Sequence, residues 1–318
     1  YYHDPANPHS IAHNYVTGLF EDSAGHLFIM TYGGLQLFRP ETDDFSILAK
    51  TRNGKEYHSQ VNYIVEMADK SLIFAGNEVG RIDFKGGCPV LDPSYFSTPL
   101  HFSTFMVKDS GESLWLSKLG KGVGKISKNG SVKFYKVGDG LDPSSIFVDN
   151  NNEVITATSD GSLFKYDGSK DSFTVLRDRA WGGSPIRCMV KNSNDSFLAG
   201  TDGSGIKVIR PDGSSYDFEF GDAMIESSTL KVHDIIRDKY NNLWIAAYQK
   251  GVIMIPALYN KFFYLGPDVA MLDKIGHHSI TALCRGKGGI MWVGTDNGGV
   301  YGIEPSSYKT RHFSPSAS

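Results

Sequence analysis

The stretch that decides the fold runs from His13 to Pro40, "HNYVTGLFEDSAGHLFIMTYGGLQLFRP". It reads as an apolar run, an Asp-x-x-Gly turn, a second apolar run ending in Thr, a Gly-Gly pair and a third apolar run. The same skeleton returns at residues 234–256, "DIIRDKYNNLWIAAYQKGVIMIP", and at residues 282–305, "ALCRGKGGIMWVGTDNGGVYGIEP". Anchored on the first apolar residue after the turn, the repeat recurs at Leu27, Leu72, Leu114, Val154, Phe197, Leu243 and Met291, with spacings of 45, 42, 40, 43, 46 and 48 residues. A fixed period in this range marks a repeat architecture.

Each unit has the same internal order. An apolar strand leads, as in Val16–Phe20 or Val232–Ile236. A turn rich in Asp, Asn, Gly and Lys follows ("EDSAGH", "KDSGES", "DNNNE", "RDKYNN", "RGKGG"), and such residues accept positive φ or bond their own backbone. Then come the anchor strand, a Gly-containing loop, a third strand such as "LQLFRP", and a weaker fourth such as "FSILA", "VKFYKV", "FTVL" or "KFFYL". No helix-length amphipathic pattern interrupts the order. Four antiparallel strands repeated seven times predict an all-β, seven-bladed β-propeller. The blades fall near residues 14–50, 59–100, 101–138, 143–178, 184–220, 230–266 and 278–314, within a single domain over 1–318. Trp115, Trp244 and Trp292 share one register with Phe28, which predicts packing between blades. Either the lead-in "YYHDPANPHSIAHN" or "SYKTRHF" (Ser307–Phe313) is expected to supply the outer strand of the last blade.

Composition narrows the function. The chain has 318 residues, 40% hydrophobic, with a formal net charge of -3 and no Lys/Arg run, so a nucleic-acid partner is not expected. No run of 18 apolar residues is present to span a membrane. The polar, aromatic N-terminus "YYHDPANPHS" is not a signal peptide and reads like the interior of a longer chain. Cys88, Cys188 and Cys284 lie at no metal-binding spacing and read as small buried thiols; no metal or other cofactor is expected.

The skeleton V-x-x-ϕ-x-x-D-x-x-G-x-L-W-ϕ-G-T-x-x-G-G-ϕ-x-x-ϕ-x-P, carried best by residues 16–45, 232–256 and 280–305, resembles the regulator-propeller repeat of Bacteroides hybrid two-component sensor histidine kinases. The lead-in "YYHDPANPHSIAHNYV" also resembles that family's inter-blade linker. The second unit departs from the pattern at Lys70-Ser71, and the fourth has Ile155 in place of Trp. The resemblance implies one propeller of an extracytoplasmic, periplasmic sensor, cut from a larger histidine kinase. Its implied role is detection of a glycan-derived oligosaccharide for polysaccharide utilisation. Implied partners are that oligosaccharide, a neighbouring propeller, immunoglobulin-like domains of the same chain and a second copy in a homodimer. The family carries no site motif fixed enough to transfer residue by residue.

Repeat positions explain themselves as structure, so function is sought where the repeat changes. Asp22, Asp109 and Asp238 recur with the blade and read as turn-formers rather than paired catalytic carboxylates. The Asp-box spelling is missed by one residue at Trp115, and nucleophile-triad, P-loop and dinucleotide patterns are absent. The domain is therefore expected to be non-catalytic; a propeller-scaffold glycan lyase or hydrolase, and a ring serving only protein assembly, are the competing readings. In the loops between second and third strands, Tyr32, Lys118, Tyr248, Gln249 and Lys250 are larger than the turn needs, and Asp296 and Asn297 occupy the same place in the last unit. Aromatic, amide and charged groups on one rim suit a sugar. The linkers entering each first strand add His13, Asn14, Trp181 and His278 as candidates. Metal binding by the adjacent His277 and His278 is not expected, because neighbouring strand residues point to opposite faces.

Overall fold

The computed structural model describes residues 1–98, 100–101, 103–149, 151–192, 196–219, 226–257, 275, 279–304 and 309–314. Two compact units emerge, Tyr1–Ile255 with six sheets and Pro256–Ser318 with a seventh. The seven second strands are Leu27–Thr31, Leu72–Gly76, Leu114–Lys118, Val154–Thr158, Phe197–Thr201, Leu243–Ala247 and Met291–Thr295, each beginning at a sequence anchor. Five sheets have four antiparallel strands in sequence order. The architecture is the all-β, seven-bladed propeller that the repeat predicts.

Within the larger unit each pair of successive sheets shares one apolar layer. Phe28, Met30 and Leu35 meet Val61, Leu72 and Phe74 between sheets one and two. Ile73 and Ala75 meet Met106, Leu114 and Leu116 between two and three. Trp115 and Val123 meet Ile146, Val154 and Phe164 in the next layer. Ile155 and Leu163 then meet Ile186 and Phe197, and Leu198 and Val208 meet Val232, Ile235 and Ile245. The second strand is thus apolar on both faces because alternate residues serve different neighbours. Phe28 and Trp115 are fully buried in these layers, whereas Trp244, in the same register, is exposed and Trp292 half-buried, so the expected packing between blades holds for the first two alone.

The turns follow from their aspartates. Asp109 Oδ1 accepts from the Ser113 N–H and Oδ2 from the Trp115 indole at 2.8 Å. Asp238 does the same for Asn242 and Trp244, while in the first sheet the side chain of His26 takes the place of the indole on Asp22.

Fourth strands depart from the sequence expectation. The first sheet's is only Asp44–Phe45, because Ser46 Oγ accepts the Leu37 N–H and breaks the ladder before "FSILA" is complete. Lys50–Thr51 instead adds a parallel fifth strand to the second sheet. The sixth sheet has three strands among the described residues, and "KFFYL" lies outside them. In the smaller unit Thr310–Phe313 is the fourth strand. The N-terminal lead-in lies along the first sheet: Phe45 N–H donates to the His9 carbonyl at 3.1 Å and the Tyr1 ring packs on Phe38 and Phe45. Cys88 and Cys188 are half-buried, but Cys284 is exposed on Ile280–Arg285, where the apolar context suggested burial.

Candidate functional site

Six of the seven first strands carry the same irregularity. The ladder to the second strand skips one residue between Val16 and Gly18, Val61 and Tyr63, Pro143 and Ser145, Ile186 and Cys188, Val232 and Asp234, and Ile280 and Ala282. The skipped residues are Thr17, Asn62, Ser144, Arg187, His233 and Thr281; Thr104 holds the equivalent place in the third sheet. Bulges of this kind re-aim side chains. In the early sheets the small polar side chain ties one blade to the next: Thr17 Oγ1 donates to the Val61 carbonyl at 2.9 Å and Ser144 Oγ to that of Ile186 at 2.9 Å. Asn62 Nδ2 reaches the Ser103 carbonyl at 3.5 Å.

Arg187 and His233 break the series. Arg187 donates to Asp202 Oδ2 at 2.7 Å, and Lys231 Nζ stands 3.9 Å from the other oxygen of that carboxylate. Arg187 beside Asp202 holds its carboxyl below the usual range, with Lys231 and His233 contributing. His233 stacks on Tyr248 with ring centroids 5.4 Å apart and planes 15° from parallel. Lys231 Nζ lies 5.9 Å from the same ring, and Gln249 Nε2 donates to the Tyr248 hydroxyl at 3.3 Å. The backbone fixes this geometry: Tyr248 N–H donates to the Lys231 carbonyl at 2.9 Å, and Asp202 N–H to that of Pro185 at 2.9 Å. Rim loop and strand entrance are thereby held side by side across the fifth and sixth sheets.

The next residue of each first strand forms a deeper level: Gly18, Tyr63, Phe105, Ser145, Cys188 and Asp234 in the larger unit. The Tyr63 ring packs 5.3 Å from Phe105. Burial pushes the Tyr63 phenol and Cys188 thiol up, and Asp234 raises both further. Burial raises the Asp234 carboxyl too, opposed by the Ile235 N–H at 2.9 Å. Cys188 is thus held as a thiol and is not poised as a nucleophile.

The residues singled out from sequence fall into separate places. Tyr248 and Gln249 belong to the cluster above, with Lys250 beside them in the same loop, its N–H on the Ala247 carbonyl. Tyr32 belongs to a second aromatic group, stacked on Tyr15 at 4.3 Å and 8° and 5.9 Å from His13. Asn14 Oδ1 accepts the His3 N–H at 2.7 Å. Lys118 donates to the His101 carbonyl, and burial lowers its ammonium. Trp181 is half-buried against the layer between the fourth and fifth sheets, with Arg177 over its ring at 5.3 Å and its N–H on Ser215 Oγ at 3.3 Å. In the smaller unit Asp296 Oδ1 accepts the Ser279 N–H at 3.2 Å and Asn297 is exposed; His278 lies outside the described residues. Sequence reasoning missed Arg187, Asp202, Lys231 and His233. The signal available was the bulge position itself, five residues before the turn, where small polar residues give way to Arg and His.

No protein-family model matches the chain, and no curated protein matches its sequence. Among solved structures, one named as the extracellular domain of a hybrid two component system from B. thetaiotaomicron superposes with a TM-score of 0.65 at 19% identity, over 98% of this chain and 48% of that one. A catalytically inactive virginiamycin B lyase from Staphylococcus aureus gives 0.57 at 14% identity, over 89% and 92%. A gluconolactonase from Xanthomonas campestris gives 0.53 at 12%, over 76% and 86%. These likenesses show the propeller fold. The propeller described here spans about half the length of the two-component domain, 48%. A fold shared by a two-component extracellular domain, a lyase and a gluconolactonase leaves function to the side chains at the site.

Proposed function

We propose that this propeller is the ligand-sensing module of a periplasmic sensor of the hybrid two-component histidine kinase kind. It recognises a glycan-derived oligosaccharide on the rim and passes that event to signalling for polysaccharide utilisation, with the neighbouring propeller and immunoglobulin-like domains as its partners. One observation carries the reading: at the bulge position, blades five and six replace small residues that tie blades together with Arg187 and His233, beside the exposed Tyr248. An aromatic face next to fixed donors is how proteins grip sugars: the ring takes the C–H face and the donors take the oxygens. Asp22, Asp109 and Asp238 bond their own turns, so they offer no acid–base pair to a glycan. The likeness to a two-component extracellular domain over nearly the whole chain agrees with this reading.

Titration calorimetry of the protein against a panel of oligosaccharides tests it. At least one member is expected to bind, and Tyr248→Ala to weaken that binding at least tenfold. Turnover of a panel member would move the protein to the enzymes; a panel that neither binds nor reacts would favour an assembly ring.

A further inference from the structure

The charge around Tyr248 is unbalanced. Arg187 and Lys231 supply two cations, while Asp202 is the one carboxylate set against them. Asp202 is held ionised by that contact, so one positive charge is left over before His233 is considered. Asp234, one residue deeper, forms an ion pair with neither cation among the described residues; its Oδ1 accepts the Ile235 N–H at 2.9 Å instead. The cations are accessible: the Arg187 side chain is 53% exposed and that of Lys231 55%. A guanidinium carries five N–H donors in a planar fork, and the contact with Asp202 uses its outer nitrogen once. Asp202 orients the fork without exhausting it. Tyr248 stays 49% exposed although one face is covered by His233.

We propose that the rim between blades five and six takes a uronate, a sugar residue bearing a carboxylate, with its ring on Tyr248 and its carboxylate on Arg187 and Lys231. This rests on the sensing role proposed above and names its ligand class. A planar carboxylate matches the guanidinium fork in bidentate fashion, which a point-charge donor does not achieve. A neutral sugar would stack on Tyr248 equally well but would leave the surplus charge without a partner. The arrangement sits on two second-strand loops pinned by backbone bonds to the strand entrances, so little ordering is required on binding.

The test uses the whole 318-residue chain and calorimetry with oligogalacturonate, oligoalginate, hyaluronan and glucuronoxylan fragments, each beside its carboxyl-reduced neutral form and a sulfated counterpart. One uronate is expected to bind at least tenfold more tightly than its reduced form. Arg187→Gln should remove that preference without altering the thermal melt, since the residue is exposed, and raising salt from 0.05 to 0.5 M should weaken the uronate alone. Binding of a neutral glycan that is indifferent to Arg187→Gln would overturn the uronate assignment and leave the sensing role standing. A sulfated ligand that keeps its affinity after carboxyl reduction would overturn the carboxylate specifically. No binding by any member, charged or neutral, would overturn both readings together.

Discussion

At Thr17 the repeat shows what a bulge side chain does for the fold. Its hydroxyl donates to the Val61 carbonyl at 2.9 Å, and Thr17→Val keeps the shape while deleting the donor. A net hydrogen bond of this kind is worth about 1 kcal/mol, and that loss is expected in urea unfolding; an unchanged unfolding free energy would show the tie to be idle. Asp109 is more demanding, because it accepts the indole N–H of Trp115, which is 1% exposed. Asp109→Ala leaves that donor buried without a partner, and a cost of about 1–3 kcal/mol is expected, with Asp109→Asn recovering part of it. Asp109 was legible in the sequence because its turn recurs. Arg187 and His233 were not, since a residue displaced by a bulge becomes visible only once the strand ladder is known, and in a linear reading they look like ordinary outward positions of a strand. Tyr248 was legible for the opposite reason: it is too large for the loop that holds it.

The elements follow the same division. The second strands were readable because most of their residues are apolar and, in the first five sheets, pack on both faces, whereas fourth strands are half-solvated and weakly patterned, so Ser46 alone suffices to end one early. Close approach of the rim loop to the strand entrance is enforced at Gly76, where a Cβ would stand 2.1 Å from the Gln60 carbonyl oxygen and 2.9 Å from Val61 Cα. Both neighbours are backbone, so Gly76→Ala must push the second sheet's inner strand aside; a loss of about 3 kcal/mol or failure to fold is expected, and a neutral result would refute the packing. Between the third and fourth sheets, Asp171 accepts from Lys133 and from the hydroxyls of Tyr135 and Tyr166, each at 2.7 Å. Lys133 first, then the two phenols, holds the Asp171 carboxyl far below the usual carboxylate range. A carboxylate depressed in the folded state stabilises it fully above the unfolded value of about 4 and loses that contribution as pH falls toward the folded value. The melting temperature is therefore expected to fall below about pH 4, and Asp171→Asn to flatten that slope; parallel pH profiles for the two proteins would exclude Asp171 as a cause.

Six sheets of the larger unit stand in series, each stabilised by its neighbours, and the proposed site joins the fifth to the sixth. A ligand that binds only the folded form must therefore raise the stability of the whole cooperative unit. At a hundred times its dissociation constant the gain is about 2.7 kcal/mol whatever the ligand's chemistry. With an unfolding entropy near 2.1 cal/mol/K per residue, the 255 residues of that unit convert the gain into a melting shift of about 5 °C. The shift separates two ways in which Tyr248→Ala can abolish binding. If the substitution only removes the stacking face, the unliganded protein melts where the parent does and the ligand-induced rise alone disappears. If the loop collapses with it, the unliganded melt falls as well, because Tyr248 carries the backbone bond to Lys231 that pins rim to strand. That bond belongs to the peptide N–H, which alanine retains, so the first outcome is expected: an unchanged melt without ligand, and a rise of about 5 °C in the parent that is missing in the variant.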